Sequence, residues 1–320
     1  MQPIRTVFAG ASHPHGEAYL TTLRGLDDFA LAAVCEADDD FQAVLEQNRP
    51  DCALIFASND RAPQLALQAI EAGAHVYIEK PAGATVAAVQ AVAQAAAARG
   101  LVAAVGYQWR YNPAANEVRR LVQTGFVGEL WSVEARMITS RVAARNPSHY
   151  LFDRAISGGG ILNWLGCHWI DLIRYFTGDE YDRVAALTGN PSRLPIGVEE
   201  VASVAFTLAG GAVGSLHAGY VLPAGYDTCI GLRGSLGFIN WQPQNHHLRV
   251  HSEHPDWRGQ PTREIRFEPE RVKGYGADGA AALLDFAAAI GDPARRPLRS
   301  DIQNGVAVLR LLEAAYAAAR

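Results

Sequence analysis

The sequence predicts two domains: an N-terminal α/β domain on a shortened, doubly wound parallel sheet, residues 1–124, and a C-terminal α+β domain on a large, mostly antiparallel open sheet, residues 125–320. Three observations predict it. Up to Gly106, short apolar strand-like runs alternate with helical stretches of ~10–15 residues, the pattern of a parallel sheet with helices on both faces. From Leu130 onward, segments of alternating apolar and polar residues follow one another across glycine-rich turns such as Ala209-Gly210-Gly211-Ala212, the pattern of an antiparallel sheet. The chain's 320 residues, 49% hydrophobic and 19% charged, exceed the usual size of one domain.

Thr6–Ala9 reads as the first buried strand, and Gly10-Ala11-Ser12-His13-Pro14-His15-Gly16 leads from it into a helix that runs to Leu23. This is the layout of a dinucleotide-binding turn, in which glycines let the backbone approach a pyrophosphate and the helix N-terminus faces its charge. Gly10, Ser12, His13 and Pro14 would line it. Ser12 and His15 stand where the second and third glycines of G-x-G-x-x-G fall, so the turn alone is a weak signal. Leu31–Cys35 reads as a second strand ending at Glu36, an acid placed to accept hydrogen bonds from a ribose 2′-hydroxyl and to repel a 2′-phosphate. The plain alternative is a surface Glu opening the acidic run Asp38-Asp39-Asp40. Fourteen residues separate Glu36 from Asp51, room for one helix at about Asp39 to Gln47. A crossover through a further strand needs ~30 residues, so Ala32–Cys35 is expected at or near a sheet edge.

Cys52–Ala57 is the next strand, followed by Ser58-Asn59-Asp60 and a helix from about Pro63 to Ala72. The run Ala74-His75-Val76-Tyr77-Ile78 then ends abruptly in Glu79-Lys80-Pro81. In an open α/β sheet ligands gather outside the carboxyl ends of such strands, so Lys80 is expected to point into a ligand crevice. Pro81 removes a backbone donor and restricts Lys80 to extended geometry. An alanine-rich helix from Val86 to Ala98, a strand from Leu101 to Gly106, the stretch Tyr107-Gln108-Trp109-Arg110-Tyr111-Asn112-Pro113 and a helix through Val122 follow.

In the second half, Leu130–Met137, Ser203–Leu208, Val213–Val221, Thr228–Arg233 and Gly237–Trp241 read as strands, and Ala280–Ile290 and Asp301–Ala319 as closing helices. Gly158-Gly159-Gly160 precede an apolar helix, and three glycines suit close approach of backbone to a ligand or to another backbone. In a regular helix Asn163 or Trp164, His168, Asp171 and Tyr175 lie along one side. A lone His on an apolar helix is more often a satisfied core group; a nucleotide-like turn and a strand-end Lys-Pro in the same chain favour a functional one.

With these stretches together, the chain resembles the glucose-fructose oxidoreductase / inositol dehydrogenase (Gfo/Idh/MocA) family over nearly its whole length. The resemblance is most specific in Glu79-Lys80-Pro81, in Gly106-Tyr107-Gln108-Trp109-Arg110-Tyr111-Asn112-Pro113, and in the triple glycine followed by Gly166-x-His168-x-x-Asp171. It implies a Rossmann domain, a C-terminal domain on a large open sheet, a homodimer or homotetramer formed through that sheet, and NAD(P)-linked oxidation of sugars, polyols or related hydroxyl compounds. It further implies that Lys80 contacts nicotinamide ribose and substrate and that His168 is the acid/base histidine. Ser58, Asn59, Glu79, Pro81 and Gln108 then fall on the cofactor side, and Trp109, Arg110, Tyr111, Asn163, Trp164 and Asp171 on the substrate side. Three departures stand out: Ser12 in the glycine turn, the missing helix-strand pair before Asp51, and Trp164, which occupies the place of the family's catalytic aspartate four residues before the histidine.

The chemistry so implied has a physical basis. Oxidising a secondary alcohol sends a hydride to nicotinamide and a proton to the protein, and a histidine accepts protons near neutral pH without much tuning. A lysine ammonium beside the reacting oxygen stabilises developing alkoxide. Asp171 is the nearest replacement for the missing carboxylate. Glu36 and the lack of a neighbouring Arg point to NAD over NADP. Trp164, with Trp109, would offer flat apolar faces suited to a glycoside or other ring-bearing hydroxyl compound, unless Trp164 packs in the core and Asn163 faces the cleft. A non-catalytic ligand- or nucleotide-sensing protein on the same fold is the second reading, motivated by the three departures.

Other classes are disfavoured. A net charge of −5 with scattered Lys and Arg argues against nucleic acid or anionic membrane as a partner. No apolar run approaches ~18 residues, and the N-terminus leads straight into a strand, so a cytoplasmic protein is expected. Cys35, Cys52, Cys167 and Cys229 are widely spaced, as reduced thiols would be. The histidines of Asn245–His254 tempt a metal reading, but nothing elsewhere converges on them by spacing, and no metal is expected.

Overall fold

The structure, a computed structural model, describes residues 2–144, 146–268, 276–292 and 297–319. It divides into two compact units: Met1–Tyr111 with Ala155–Gly158 and Glu270–Leu309, and Asn112–Arg154 with Gly159–Pro269 and Arg310–Arg320. This division differs from 1–124 and 125–320 in three places: 112–124 fall with the second unit, and 155–158 and 270–309 with the first.

The first unit carries β1 (Ile4–Ala9), α1 (Gly16–Arg24), β2 (Phe29–Cys35), α2 (Phe41–Asn48), β3 (Cys52–Ile55), α3 (Ala62–Glu71), β4 (His75–Ile78), α4 (Val86–Ala98) and β5 (Ala103–Val105). All pairings are parallel, in the order β2-β1-β3-β4-β5. β2 is an edge strand and α2 alone joins it to β3, as the fourteen-residue spacing requires. Local chemistry sets the limits of α2: the Asp40 carboxylate accepts from the Ala43 N–H, and Arg49 closes the helix at φ 44°. β3 and β4 are buried at nearly every position, which is why they read as unbroken apolar runs. Phe8, Tyr19, Phe56 and Tyr77 form the aromatic core on one face.

The second unit contains α5 (Pro113–Gln123), β6 (Leu130–Ser140), the start of the single-turn α6 (Arg154–Ser157), α7 (Cys167–Thr177), and β7 (Tyr181–Gly189), β8 (Val201–Leu208), β9 (Val213–Leu222), β10 (Tyr226–Gly234), β11 (Gly237–Gln242), β12 (His247–Ser252) and β13 (Thr262–Arg266). The eight strands run β13-β12-β11-β10-β6-β9-β8-β7, antiparallel except for β6 beside β9. The histidine-rich stretch Asn245–His254 is largely β12. Its side chains serve the sheet and its turns: His247 bonds Glu264, His251 Nδ1 meets Thr262 Oγ1 at 2.8 Å, and His254 stacks on Phe126 at 4.5 Å.

Two closing helices follow, α8 (Gly276–Gly291) and α9 (Ile302–Ala318). α8 starts four residues before the expected Ala280. It belongs with the first unit because Phe286 packs edge-on against Tyr77, centroids 5.8 Å apart, and Asp285 Oδ2 accepts from the Tyr111 hydroxyl at 2.8 Å. α5, expected at the end of the first domain, belongs with the second because Asn116 Oδ1 accepts from the Tyr175 hydroxyl of α7 at 2.8 Å and Arg119 lies 4.3 Å over the Tyr175 ring. The cut between the units falls inside α9.

Candidate functional site

In the first unit the candidate residues gather at the carboxyl ends of β1, β2, β3 and β4. The turn after β1 is as tight as the dinucleotide pattern demands. Gly10 has φ +97°, and a Cβ there would stand 1.7 Å from the Phe56 carbonyl oxygen. A Cβ on Gly16 would stand 2.3 and 2.6 Å from the carbonyl oxygens of Gly10 and Ala11. Gly16 thus performs the close approach expected of a glycine at position 15, one residue later. Sequence reading missed it by fixing on the six-residue register; a glycine immediately before the first helical residues was the available signal.

Ser12 does not leave a gap. Its hydroxyl donates to Glu36 Oε2 at 2.6 Å and its N–H to the same oxygen at 3.2 Å, while Oε1 takes no hydrogen bond from the described residues. Pro14 is exposed and His13 is buried, its Nδ1 accepting the His15 N–H at 3.1 Å and its ring edge-on to Phe56. Ser58 bonds Asp60, and Asn59 donates to the Ser157 carbonyl at 2.6 Å.

Beyond β4, Glu79 and Lys80 are 4% and 1% exposed, and the Lys80-Pro81 peptide is cis. Lys80 Nζ lies 3.8 Å from Glu79 Oε1, and His15 Nδ1 lies 2.9 Å from the same oxygen. Burial pushes the Glu79 carboxyl up, but His15, Lys80 and His13 together outweigh it and hold the group below its ordinary range. Of the chain's 28 lysines and arginines only two are lysines, Lys80 and Lys273.

The one-turn 3-10 helix Gln108–Tyr111 carries the next four candidates. Gln108 is buried and Trp109 half-buried. Arg110 donates to the Arg299 carbonyl at 2.6 Å and to Asn304 at 2.9 Å, and Tyr111 donates to Asp285. These two, expected toward substrate, fasten the turn to the C-terminal stretch of their own unit.

In the second unit Gly159 and Gly160, the last two of the triple glycine, prove to be a packing requirement. A Cβ on Gly159 would stand 2.0 Å from the Tyr316 hydroxyl, and one on Gly160 2.0 Å from the Glu199 carbonyl oxygen. The buried Glu199 carboxyl accepts from the N–H groups of Gly160 at 2.8 Å and Leu162 at 3.1 Å and from Tyr316 at 2.9 Å. Burial raises its pKa and outweighs those hydrogen bonds. Glu199 was not singled out from sequence; an acid pair at a strand start, Glu199-Glu200, carries no mark of its partner forty residues back.

The helix that follows is not regular. Leu162–Gly166 form a π turn, and α7 begins only at Cys167. The wider turn adds one residue, so Asn163, five positions back, comes into line with His168, and Trp164 is displaced by about 100° from the place a regular helix would give it. All four of Asn163, Trp164, His168 and Asp171 are at least 95% buried. Trp169 Nε1 donates to the Cys229 carbonyl at 3.1 Å, tying α7 to the sheet. Among the described residues no three His, Cys, Asp or Glu side chains are arranged to hold a metal ion.

Comparison with known proteins agrees with this architecture. Residues 10–107 match the GFO_IDH_MocA family model, described as an oxidoreductase family with an NAD-binding Rossmann fold, and residues 115–240 match the GFO/IDH/MocA C-terminal domain model. The chain is 25% identical over 202 residues to a levoglucosan dehydrogenase of Pseudarthrobacter phenanthrenivorans, covering 56% of this chain and 52% of that one. It is 26% identical over 194 residues to a D-glucoside 3-dehydrogenase of Escherichia coli, covering 55% and 54%. The chain thus spans about half the length of these curated relatives. In fold it is similar to an inositol dehydrogenase homolog of Azotobacter vinelandii solved with NAD+, at a TM-score of 0.86 and 21% identity, covering 99% of this chain and 95% of that one.

Proposed function

Since the chain belongs to the GFO/IDH/MocA oxidoreductase family, we propose that it transfers a hydride between NAD and a secondary hydroxyl of a sugar, polyol or glycoside-like compound. The observation that carries this reading is the wholly buried Lys80 ammonium beside Glu79 at the carboxyl end of β4, in a chain that otherwise uses arginine almost throughout. Arginine stays charged and forked; lysine is a compact charge suited to one oxygen.

The turn fits a dinucleotide. Gly10 and Gly16 leave no room for side chains, so the backbone and the N-terminus of α1 are open to a pyrophosphate. Ser12 fixes Glu36 by one oxygen, leaving the other to accept from ribose hydroxyls and the carboxylate to repel a 2′-phosphate, while the Arg61 guanidinium beside this loop donates to the Ala37 carbonyl at 3.2 Å. When bound, the nicotinamide supplies the hydride acceptor. The chain's part is to stabilise negative charge on the substrate oxygen through the Lys80 ammonium and to take its proton on the His168 imidazole. Trp109, half-buried, offers an apolar face that suits a ring-bearing substrate, in keeping with the cyclic compounds named in the two relatives, whereas the π turn brings Asn163 rather than Trp164 into line with His168.

The same reading includes a homodimer or homotetramer through the eight-stranded sheet, on whose strands Trp131, Leu187, Val213, Val221 and Tyr226 stand exposed. It includes a cytoplasmic location: all four cysteines are free thiols, as a reducing compartment would keep them. No described helix is long and apolar enough to cross a membrane.

The test is equilibrium titration with NAD+ and NADP+, then nucleotide reduction with levoglucosan, myo-inositol and a methyl D-glucoside. NAD+ should bind more tightly, and a cyclic polyol or glycoside should support reduction. Tighter NADP+ binding would overturn the role given to Glu36. Nucleotide binding without turnover of any hydroxyl compound would favour a ligand-sensing protein on this fold.

A further inference from the structure

We propose that Ser12 is a specificity-determining residue: by its hydrogen bond it holds the Glu36 carboxylate toward the ribose, and without it the choice of NAD over NADP loosens. The role rests on the NAD reading above and narrows it to one side chain. Ser12 stands where the second glycine of the dinucleotide turn falls, yet the turn does not need a glycine there. The left-handed backbone falls on Gly10, at φ +97°, and the close approach on Gly16, so position 12 is left able to carry a side chain. That side chain meets Glu36, twenty-four residues on: Oγ donates to Oε2 at 2.6 Å, and the Ser12 N–H donates to the same oxygen at 3.2 Å. A serine hydroxyl has one proton, and here it goes to the carboxylate rather than to a phosphate oxygen.

The rest of the loop shows why the carboxylate has to be held. Glu36 is half-buried and follows β2, the edge strand of its sheet. Its backbone is fixed, since its N–H donates to Asp39 Oδ2 at 2.7 Å and its carbonyl accepts from the Asp39 N–H at 3.2 Å. Its side chain depends on Ser12: among the described residues both hydrogen-bond donors to the carboxylate belong to that one residue. Arg61, distant in sequence, reaches the same loop, and its guanidinium donates to the carbonyl of Ala37, the residue after Glu36, at 3.2 Å. That contact uses one of the five N–H donors of an arginine, the side chain best shaped for a phosphate. The loop therefore brings together an acid that accepts from a ribose 2′-hydroxyl and a cation that suits a 2′-phosphate. Which of them prevails depends on where the carboxylate stands. Held by Ser12, its charge stays at the ribose; released into water, where charge is screened, it yields that place to Arg61. Restoring the glycine of the pattern at position 12 thus weakens the selectivity of the turn.

The test is isothermal titration calorimetry of the full chain with NAD+ and with NADP+, and the quantity read is the ratio of the two dissociation constants. It needs no substrate. The preference for NAD+ should shrink about tenfold in Ser12→Ala and in Ser12→Gly, the loss expected when a hydrogen bond to a charged group is removed. Ser12→Thr keeps the hydroxyl and should stay near the parent value. In a Glu36→Gln background the step from Ser12 to Ala should leave the ratio unchanged, because the charge through which Ser12 acts is gone. Ser12 is exposed and Glu36 half-buried, so none of these substitutions opens the core. A ratio unchanged by Ser12→Ala, or two affinities that fall by the same factor, would make Ser12 a residue of the turn alone and overturn the proposal. An equal effect of Ser12→Ala with and without the Glu36 charge would overturn it as well. Those results leave the NAD reading standing, whereas a parent chain that binds neither nucleotide, or binds NADP+ more tightly, removes that reading and this one with it.

Discussion

The two units each bury a glutamate beside their candidate residues, and they do it in opposite ways. In the first, Glu79 is surrounded by His15, Lys80 and His13, and these positive charges keep it ionised in spite of burial. In the second, Glu199 is met by two backbone N–H groups and a tyrosine hydroxyl, all neutral, and burial prevails, so its pKa stands above the ordinary range. A cluster of buried charges on loops at strand ends is an arrangement for chemistry. A carboxyl that bridges the start of a helix to a distant tyrosine is an arrangement for holding backbone in place. Burial alone does not tell the two apart; the charge of the partners does.

The largest expected effect tests whether the first unit's cluster is chemical. Lys80→Met keeps the volume and removes the ammonium, while Glu79 retains His15. Turnover should fall by about 10³-fold, within the range for removing a group that stabilises or transfers charge in the transition state, with the thermal midpoint little changed. A variant within a few-fold of the parent rate would make the first cluster as structural as the second.

Next in size is the contrast between glycines. Gly16→Ala drives a Cβ against the carbonyl oxygens of Gly10 and Ala11, and Gly160→Ala drives one against that of Glu199. Backbone cannot yield as a flexible side chain can, so each should cost about 2 kcal/mol or more in chemical denaturation. Only Gly16→Ala should also weaken NAD+ binding. Loss of affinity in Gly160→Ala at equal fold content would mean that the second unit's glycines serve the nucleotide as well.

Much of the architecture was legible because it depends on local pattern. The order of strands and helices, the edge position of β2 and the antiparallel second sheet all follow from periodicity and from the fourteen residues between Glu36 and Asp51. Lys80 and Glu79 were legible because a proline ends their strand. What was not legible depends on partners far off in sequence. Arg110 and Tyr111 look like binding residues until Asp285, Arg299 and Asn304 come back to meet them. The π turn at Leu162–Gly166 has no periodic signature in five residues, so Trp164 and Asn163 were placed by a regular helix that is absent there. His15 read as a defect in a glycine pattern, and only its contact with Glu79, sixty-four residues on, gives it a role.

The smallest effect separates the two glutamates by the sign of their pH dependence. Glu79 has a lowered folded-state pKa, so it contributes stability that is present above the unfolded carboxyl value and is lost as pH falls through the folded one. Glu199 has a raised one, so its contribution is complete below the unfolded value and is lost as pH rises through the folded value. Glutamine fixes either site in an uncharged state. The thermal midpoint of the parent minus that of Glu79→Gln should therefore be greatest near neutrality and shrink toward acid. The same difference for Glu199→Gln should be greatest in acid and shrink as pH rises above the carboxylate range. Each change should amount to about 2–4 °C in calorimetric scans between pH values where both proteins remain folded. The test lies in the opposition of the slopes more than in their size: two differences that fall together toward acid would mean that Glu199 is also held as an anion, and that its three donors, neutral as they are, outweigh burial as the cations around Glu79 do.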